Sequence, residues 1–452
     1  MSLRFGTDGV RGVAGTELTP ELVLALGRAA ARVLCDGAAD TGRPRLVLAR
    51  DTRRSGPLLE AAFAAGVAAE GVDVELLGVL PTPGLARVAA DEGVAAAMVS
   101  ASHNPYADNG IKLFAAGGAK LEASAERALE AVLDELRAGG PGDGRSGAEL
   151  GTVIEREAAG AAYVDALVAV LPPGCLDGIV VVVDCANGAA SAVAPAVLSR
   201  LGAWVEVIAA APDGTNINEA CGSTHPEALQ EAVVRLGADI GLALDGDADR
   251  VLAVDGEGAL VDGDQLIALF ADDLRARGLL RHDTVAVTVM SNLGLRLALD
   301  ERRIAVVETP VGDKHVLEAM QAGDLSLGGE QSGHIIFADH GTTGDGTFTG
   351  VALADLVARS GRTLADLARA SMVRLPQVLR NVTVGDRAGL ADAGPVWDAV
   401  ADVQAALGVT GRVLLRPSGT EPLVRVMVEA PTEAQAASAA ERLVAVLADT
   451  LD

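Results

Sequence analysis

GIVVVVDCANGAA, residues 178–190, is the stretch that decides the fold. It joins a run of β-branched residues to a small polar loop, and a helical pattern follows over Ser191–Leu201. The same order recurs where Leu46–Leu48 meets RDTRRSG and where Val285–Val289 meets MSNLGL. A strand that feeds a helix through a short loop is the βαβ unit of parallel sheets. These stretches predict an α/β protein with three similar domains whose sheets are mixed and mostly parallel.

The C-terminal part has a different pattern. A loop short enough to allow antiparallel pairing separates the predicted strands Arg412–Leu415 and Leu423–Glu429. A short strand over Val382–Val384 and helices over Val396–Leu407 and Glu433–Leu451 complete the predicted pattern. We therefore expect a smaller α+β domain at this end. The predicted domain bounds are 1–153, 154–254, 255–371 and 372–452.

Composition narrows the choice of partners. The chain has 452 residues and a formal net charge of -26. This charge argues against nucleic acid and anionic membranes, which call for a basic face. A small anionic substrate stays compatible, because a local arginine pocket can override the global charge. The four cysteines form no C-x-x-C pair, no signal-peptide pattern is visible, and no apolar run approaches the ~18 residues that span a bilayer. We expect a cytoplasmic protein.

Two motifs in the first half bear chemically active side chains. SASHNP, Ser100–Pro105, is predicted to be a loop with a serine beside a histidine, a pairing that is weak evidence by itself. DGDADR, Asp245–Arg250, follows the predicted strand Ile240–Leu244 and carries acids at alternate positions. In an extended loop, such acids converge on one side, and oxygen ligands suit Mg²⁺. An EF-hand is excluded, because it needs Gly at the position of Arg250 and Glu at that of Gly256.

Two motifs in the second half fit sugar and phosphate groups. GGEQSGH, Gly328–His334, places a carboxylate and a hydroxyl two residues apart, where both can reach neighbouring sugar hydroxyls. RPSGTEP, Arg416–Pro422, combines an arginine with hydroxyls and free backbone amides, which together form an anion cradle. Arg425 follows on the next strand, and arginine suits the two-pronged geometry of a phosphate.

In this order, the four motifs resemble the α-D-phosphohexomutase superfamily, and the resemblance covers essentially the whole chain. FGTDGVRG (Phe5–Gly12), NGIK (Asn109–Lys112) and TPVGDKH (Thr309–His315) fit the same superfamily. GTDGVRG, CGSTH (Cys221–His225) and EQSGH look like its glucosamine-phosphate branch. The resemblance implies four domains around a central cleft, each of which contributes one loop.

The resemblance also assigns roles. It implies that Ser102, and not Ser100, is phosphorylated, and that Ser102 and the three aspartates hold one Mg²⁺ per chain. A general acid or base is also needed. Lys112 and His334 are the first candidates, His103 is the next, and His315 is a weaker candidate. The residues implied for the metal are Ser102, Asp245, Asp247 and Asp249; for charge stabilisation Arg11 and Arg250; for sugar hydroxyls Glu330 and Ser332; and for the remote phosphate Arg416, Ser418, Gly419, Thr420 and Arg425.

The implied reaction interconverts glucosamine 6-phosphate and glucosamine 1-phosphate. It passes through the phosphoserine and a sugar 1,6-bisphosphate, which also serves as activator, and it supplies the UDP-N-acetylglucosamine and cell-wall pathway. The alternatives are a phosphoglucomutase or phosphomannomutase, a metal-dependent sugar phosphatase, and a non-catalytic sugar-phosphate sensor. The expected partner is a small sugar phosphate, and the sequence leaves a homodimer open.

Overall fold

The computed structural model describes residues 9–35, 43–139, 145–385, 388–417 and 423–451. Contacts divide these residues into two compact units. The first comprises the described residues within Met1–Val289 and Val307–Ala368, and the second those within Met290–Val306 and Arg369–Asp452. Within the described ranges, no helix is both long enough and apolar enough to cross a membrane.

The first sheet has six strands in the order β1-β5-β4-β2-β3-β6. Strands β2, β3, β4 and β6 run parallel, and β5 pairs antiparallel with β4 and β1. Every residue of β4 is buried and three of the five are alanine, as expected for a central strand that is covered on both faces. The elements are β1 Val10–Val13, α1 Pro20–Leu34, β2 Arg45–Arg50, α2 Gly56–Ala69, β3 Asp73–Val79, α3 Thr82–Glu92, β4 Ala95–Val99, β5 Asp108–Phe114, α4 Ala123–Arg137 and β6 Val153–Glu155.

The second sheet has five strands in the order β11-β10-β9-β7-β8. Strands β7, β8 and β9 are parallel, and β10 folds back antiparallel on β9. The turn of this β9–β10 hairpin is residues 245–250, so DGDADR joins two strands. The elements are α5 Ala159–Val168, β7 Val180–Asp184, α6 Val193–Arg200, β8 Trp204–Ile208, α7 Glu227–Leu236, β9 Ile240–Leu244, β10 Val251–Asp255 and β11 Leu260–Val261.

The third sheet has four strands in the order β13-β12-β14-β15. Strands β12 and β14 are parallel, and β14 and β15 form an antiparallel hairpin whose turn is residues 330–334. The elements are α8 Gly263–Ala276, β12 Thr284–Thr288, α9 Leu293–Glu301, β13 Ala305–Thr309, α10 Asp313–Gly323, β14 Leu327–Gly329, β15 Ile335–Phe337, α11 Gly346–Ser360 and α12 Leu364–Ser371.

The second unit contains α9 and the fourth sheet, which is antiparallel with the order β16-β18-β17. Its core packs buried valines of β18 against leucines of the last helix. The elements are β16 Gln377–Thr383, α13 Gly394–Leu407, β17 Arg412–Pro417, β18 Leu423–Glu429 and α14 Glu433–Leu451. Single 3₁₀ turns lie at Gly147–Glu149, Gly222–Thr224, Arg281–Asp283, Ala388–Asp392 and Gly408–Thr410.

The predicted fold class is confirmed: mixed α/β sheets are followed by an antiparallel C-terminal sheet. Several strand boundaries differ from the sequence prediction, and those of β16 and β17 bear on the C-terminal sheet. β16 begins at Gln377, earlier than predicted. Three consecutive exposed residues, 379–381, separate its buried Val378 and Val382 and interrupt the alternation that would indicate a strand. β17 runs on to Pro417, which places Arg416 on a strand and not in the loop. The predicted domain bounds stay predictions.

Candidate active site

Ser102 lies just after the carboxyl end of β4, and its side chain faces the aspartate turn. Its Oγ donates a hydrogen bond of 2.6 Å to Asp245 Oδ2. The residue is buried and has a φ of +53°, a left-handed conformation that is uncommon outside glycine and concentrates at functional sites. Ser100 points elsewhere: its Oγ donates to Asp51 at 2.7 Å and accepts from the Ser102 amide at 3.0 Å. The geometry favours Ser102 as the reactive serine and Ser100 as its support.

Two side chains hold the Ser102 backbone from behind. Arg53 is fully buried, pairs with Asp51 at 2.8 Å and donates through Nη2 to the carbonyls of Ser102 at 2.9 Å and Asn104 at 2.8 Å. Asn218 Nδ2 donates to the same two carbonyls, at 2.9 and 3.0 Å. Neither Arg53 nor Asn218 was predicted from the sequence. Arg53 lies in RDTRRSG, which was interpreted only as a strand-to-helix loop.

The three aspartates of the hairpin turn form a buried cluster. Each is at most 3 % exposed, and one carboxylate oxygen from each lies within 4.8 Å of the others. The sequence pattern suggested an extended loop, but the structure has a turn here. The amide of Ala248 donates to the carbonyl of Asp245 at 3.1 Å, and Ala248 has a φ of +55°. The carboxylates therefore converge because the chain turns, and not because alternate residues share a face.

Gly246 allows this turn to approach the serine loop. A Cβ at this position would lie 2.6 Å from the carbonyl oxygen of Ser102 and 2.9 Å from Ile217 Cδ1. Real Cβ atoms do not come so near to backbone oxygen, so a side chain here would push the two loops apart. The glycine of DGDADR is thus required by packing, which the sequence motif alone did not reveal.

Positive charge and one hydroxyl compensate the acidic cluster. Lys112 Nζ lies 2.7 Å from Asp247 Oδ2 and 3.3 Å from Asp249 Oδ2. Thr82, the first residue of α3, donates to Asp247 Oδ2 at 2.5 Å. Arg250 Nε lies 3.7 Å from Asp249 Oδ1. Lys112 is therefore an electrostatic partner of the aspartates, in addition to its predicted acid or base role.

The environment of the aspartates separates their pKa values. Burial, with the adjacent charges of Asp249 and Asp247, raises the pKa of Asp245 well above its usual range. Burial also acts to raise the pKa of Asp249, but Lys112, His334 and Arg250 outweigh it and hold that pKa well below the usual range. Asp249 is thus more firmly ionised than Asp245.

The cluster fits a hard divalent cation. Among the described residues, Asp247 Oδ1 and Asp249 Oδ1 are buried and have no hydrogen-bond partner. Unsatisfied buried carboxylate oxygens are costly, and coordination to a cation would satisfy them. All the donors are oxygens, which is the ligand type that Mg²⁺, Ca²⁺ and Mn²⁺ prefer.

His103 lies beside the serine and two arginines. Its Nδ1 is 3.3 Å from Ser102 Oγ and 3.3 Å from Arg250 Nη1. Burial, followed by the charges of Arg250 and Arg11, lowers the pKa of His103 to about 4. The ring is therefore neutral near neutral pH. Arg11 lies on β1 opposite Gly110, so it reaches this region from the neighbouring strand.

His334 is buried at the end of the β14–β15 hairpin. Its Nε2 accepts from the Gly344 amide at 2.9 Å, and its Nδ1 is 3.8 Å from Asp249 Oδ2. Burial lowers the pKa of His334, but Asp249, Asp313 and Glu330 raise it by more. The Gly344 hydrogen bond favours the opposite state, because an imidazolium has no acceptor atom. We take this hydrogen bond to define a neutral ring with its proton on Nδ1, which faces Asp249.

The same hairpin brings Glu330 and Ser332 together. Ser332 Oγ lies 3.5 Å from Glu330 Oε2, and Glu330 Oε1 accepts from the Gly312 amide at 3.2 Å. Both residues are half-buried, so their polar atoms remain accessible to a ligand. His315 does not join them: it contacts Glu318 on its own helix at 3.3 Å.

The predicted remote phosphate site lies in the second unit. Arg416 on β17 and Arg425 on β18 are directly opposite each other in the antiparallel register. Like charges at such positions destabilise a sheet unless an anion compensates them. Ser418, Gly419 and Thr420 lie outside the described residues, so their part in this site stays a prediction.

Family profiles match the chain along its length. The three α/β/α domains of the phosphoglucomutase/phosphomannomutase family match residues 2–139, 161–258 and 262–375, and its C-terminal domain matches 379–446. The chain is 55 % identical to the phosphoglucosamine mutase of Streptomyces avermitilis, over 98 % of both chains. It is 52 % identical to that of Corynebacterium efficiens, over 99 % of this chain and 100 % of the relative. The chain belongs to the phosphoglucosamine mutase family. The resemblance inferred from the motifs is thereby confirmed.

Solved structures of this superfamily share the fold. A phosphoglucomutase/phosphomannomutase family protein from Burkholderia thailandensis is 25 % identical with a TM-score of 0.78, covering 99 % of this chain and 97 % of that one. An N-acetylphosphoglucosamine mutase from Aspergillus fumigatus, solved with GlcNAc-6P and magnesium, is 19 % identical with a TM-score of 0.70. It covers 100 % of this chain and 96 % of that one. At this identity, the second structure supports the fold alone.

Proposed function

We propose that the protein interconverts glucosamine 6-phosphate and glucosamine 1-phosphate by passing a phosphoryl group through Ser102. The observation that carries this proposal is the 2.6 Å contact between Ser102 Oγ and Asp245 in a buried cluster of three aspartates. Full-length relatives that are 52–55 % identical are phosphoglucosamine mutases, which supports the choice of sugar.

The proposed reaction has two balanced transfers. The P–O bond to Ser102 breaks while a new P–O bond forms to the free hydroxyl of the sugar phosphate. The proton of that hydroxyl passes to a base, and the departing Ser102 Oγ takes up a proton. The product of this step is the sugar 1,6-bisphosphate, which also serves as activator. In the second transfer, the other phosphoryl group returns to Ser102, so the phosphoserine is regenerated and no phosphate is consumed. Such transfers depend mainly on positioning and charge stabilisation.

We assign one Mg²⁺ per chain to Asp245, Asp247, Asp249 and the group carried by Ser102. The unsatisfied buried oxygens of Asp247 and Asp249 support this assignment. Bound there, the ion supplies positive charge next to the phosphoryl oxygens. Arg250 and Arg11 add donors on the side of His103.

Lys112 and His334 remain the two candidates for the proton transfer. Both lie beside Asp249, Lys112 at 3.3 Å and His334 at 3.8 Å. His334 can accept a proton only at Nε2, which requires its hydrogen bond from the Gly344 amide to break, whereas the Lys112 ammonium is competent to donate a proton. His103, neutral and 3.3 Å from Ser102 Oγ, orients the serine in this scheme.

Glu330 and Ser332 are assigned to the sugar hydroxyls. Arg416 and Arg425, with Ser418, Gly419 and Thr420, are assigned to the phosphate that does not react. Because the sugar must turn over between transfers, this site has to accept the phosphate of either end. A cytoplasmic location and a homodimer stay predictions.

A coupled assay tests the proposal. Purified protein with Mg²⁺ and the 1,6-bisphosphate activator is given glucosamine, glucose or mannose 6-phosphate, and formation of each 1-phosphate is measured along with free phosphate. We expect the highest kcat/KM for glucosamine 6-phosphate, loss of turnover in Ser102→Ala, and no release of phosphate. A lead for glucose or mannose would move the protein to the alternative mutases, and stoichiometric phosphate release would make it a phosphatase.

A further inference from the structure

A cavity lies in the first unit, lined by residues other than the serine and the aspartates of the candidate site. Its volume is about 300 Å³, which is at the lower end of the range for small-molecule sites. Helix α3 forms one wall, α5 with the residue Val170 forms another, and the segment between β15 and α11 closes it. The proposed function assigns no role to this space.

Two of these walls also carry hydrogen bonds of the active site. Helix α3 begins at Thr82, whose hydroxyl donates to Asp247, and the next residue, Pro83, lines the cavity. The segment between β15 and α11 contributes the Gly344 amide, which donates to His334. Its neighbours Thr343 and Asp345 line the cavity. A molecule in the cavity would therefore press on the backbone that positions both Asp247 and His334.

The lining acid that favours a cation is Asp345. Three aspartates and one arginine line the cavity: Asp91, Asp339, Asp345 and Arg87. Asp91 pairs with Arg87 at 3.6 Å and Asp339 with Arg281 at 2.6 Å, so the charges of these two acids are compensated. His340 adds no charge at neutral pH, because burial, together with Arg87 and Arg277, lowers its pKa. Asp345 is the innermost acid, fixed by Tyr163 at 2.5 Å and by the Phe348 amide at 2.8 Å.

The remaining lining favours an apolar body with a polar head. The rings of Tyr163, Phe337, His340 and Phe348 all contribute, and His340 lies on Phe348 with centroids 4.2 Å apart. Aromatic faces attract organic ammonium ions in addition to their hydrophobic contribution.

We propose that this cavity binds a small organic ammonium ion with an apolar body, and that its occupation changes the activity of the adjacent site. The first part stands on the cavity alone. The second part rests on the proposed mutase function, and it follows from the shared walls at Thr82 and Gly344.

Phenethylammonium chloride is the probe, and 2-phenylethanol is the neutral match of the same shape. Binding is measured by calorimetry on the full chain at neutral pH. We expect the cation to bind roughly three- to thirtyfold more tightly than the alcohol, which is the range that cation–π attraction provides. Val170→Trp, which fills the cavity, should abolish binding. Ala169→Trp is the matched control, because this exposed neighbour does not line the cavity.

Asp91→Asn gives a second test that does not depend on packing, since the Asp91 side chain is 67 % exposed. This substitution should weaken the binding of phenethylammonium and leave the binding of 2-phenylethanol unchanged. Absence of binding, equal affinity for both probes, or retained binding in folded Val170→Trp would overturn the site.

Saturating probe should change kcat or KM by about fivefold or more, which is the lower end of typical allosteric coupling. Binding of the probe with no change in kcat or KM would refute the coupling. A protein that binds the probe but has no mutase activity would count only against the mutase function.

Discussion

Replacing Arg53 with lysine should leave a folded protein that turns over slowly. Arg53 makes no contact with substrate in our account; it is a fully buried positioning residue behind Ser102. Its guanidinium pairs with Asp51 and donates to the carbonyls of Ser102, Asn104, Pro105 and Asp108. Lysine keeps the charge that Asp51 needs but carries a single nitrogen, so it cannot reach acceptors spread along the whole loop.

The cost follows from the bonds that are lost. A lysine that retains the ion pair to Asp51 and two carbonyls loses at least two bonds from a charged donor, each of which contributes about 1.5–3 kcal/mol. Two such bonds together contribute about 3–6 kcal/mol. Asn218 still donates to Ser102 and Asn104, and the Asp108 amide still donates to the Pro105 carbonyl at 3.1 Å, which reduces the real cost. This leaves a folded chain with a less constrained serine loop.

The substitution should lower kcat more than it changes KM. A displacement of about 1 Å at the reacting group can cost on the order of a hundredfold in rate. We expect kcat to fall about a hundredfold in Arg53→Lys while KM for the sugar phosphate changes little. Steady-state kinetics are measured at a temperature well below the onset of unfolding, which is checked by circular dichroism. Arg54→Lys is the matched control, because Arg54 is the exposed neighbour on the same loop. A kcat within threefold of the wild type, a rise confined to KM, or an equal loss in Arg54→Lys would refute the positioning role.

Three further outcomes are expected. Thr82→Val removes the hydroxyl that donates to Asp247, so the Mg²⁺ concentration for half-maximal activity should rise; an unchanged Mg²⁺ titration would show that this bond does not tune the site. Asp247→Asn should weaken Mg²⁺ binding measured by calorimetry without unfolding the chain, since it relieves repulsion among buried acids; undiminished affinity would remove Asp247 from the ligand set. Arg416→Ala should lower kcat/KM about ten- to a hundredfold or more in both directions of reaction, because a charge-assisted bond contributes about 1.5–3 kcal/mol. An unaffected kcat/KM would place the remote phosphate elsewhere.

Strongly patterned elements could be predicted from the sequence. The strands Ile240–Leu244 and Leu423–Glu429 and the helix Glu433–Leu451 have the predicted bounds. Their apolar residues are continuous or strictly periodic, so the local pattern and the tertiary burial agree. β16 was underestimated because its outward face carries Leu379, which is 45 % exposed and obscures the alternation.

The supporting residues of the site could not be predicted. The hydrogen bonds from Arg53 and Asn218 to Ser102 span 49 and 116 positions, and that from Thr82 to Asp247 spans 165. Contacts between residues so far apart in the chain cannot be predicted from local sequence spacing. The motif residues themselves were visible because a metal cluster or a reactive serine needs particular side chains close together in the chain. The convergence of the aspartates was expected for the wrong reason, since it arises from the turn at Ala248.

Locating the transferred phosphate is the most direct test of the central claim. The protein is incubated with the 1,6-bisphosphate activator and Mg²⁺, quenched in acid, digested, and mapped by tandem mass spectrometry. Ser100 and Ser102 lie in one peptide, so fragment ions must separate them, and Ser100→Ala and Ser102→Ala are mapped in parallel. The account predicts one phosphate on Ser102, retained in Ser100→Ala and lost in Ser102→Ala. A phosphate on Ser100, or mutase turnover in Ser102→Ala, would contradict it.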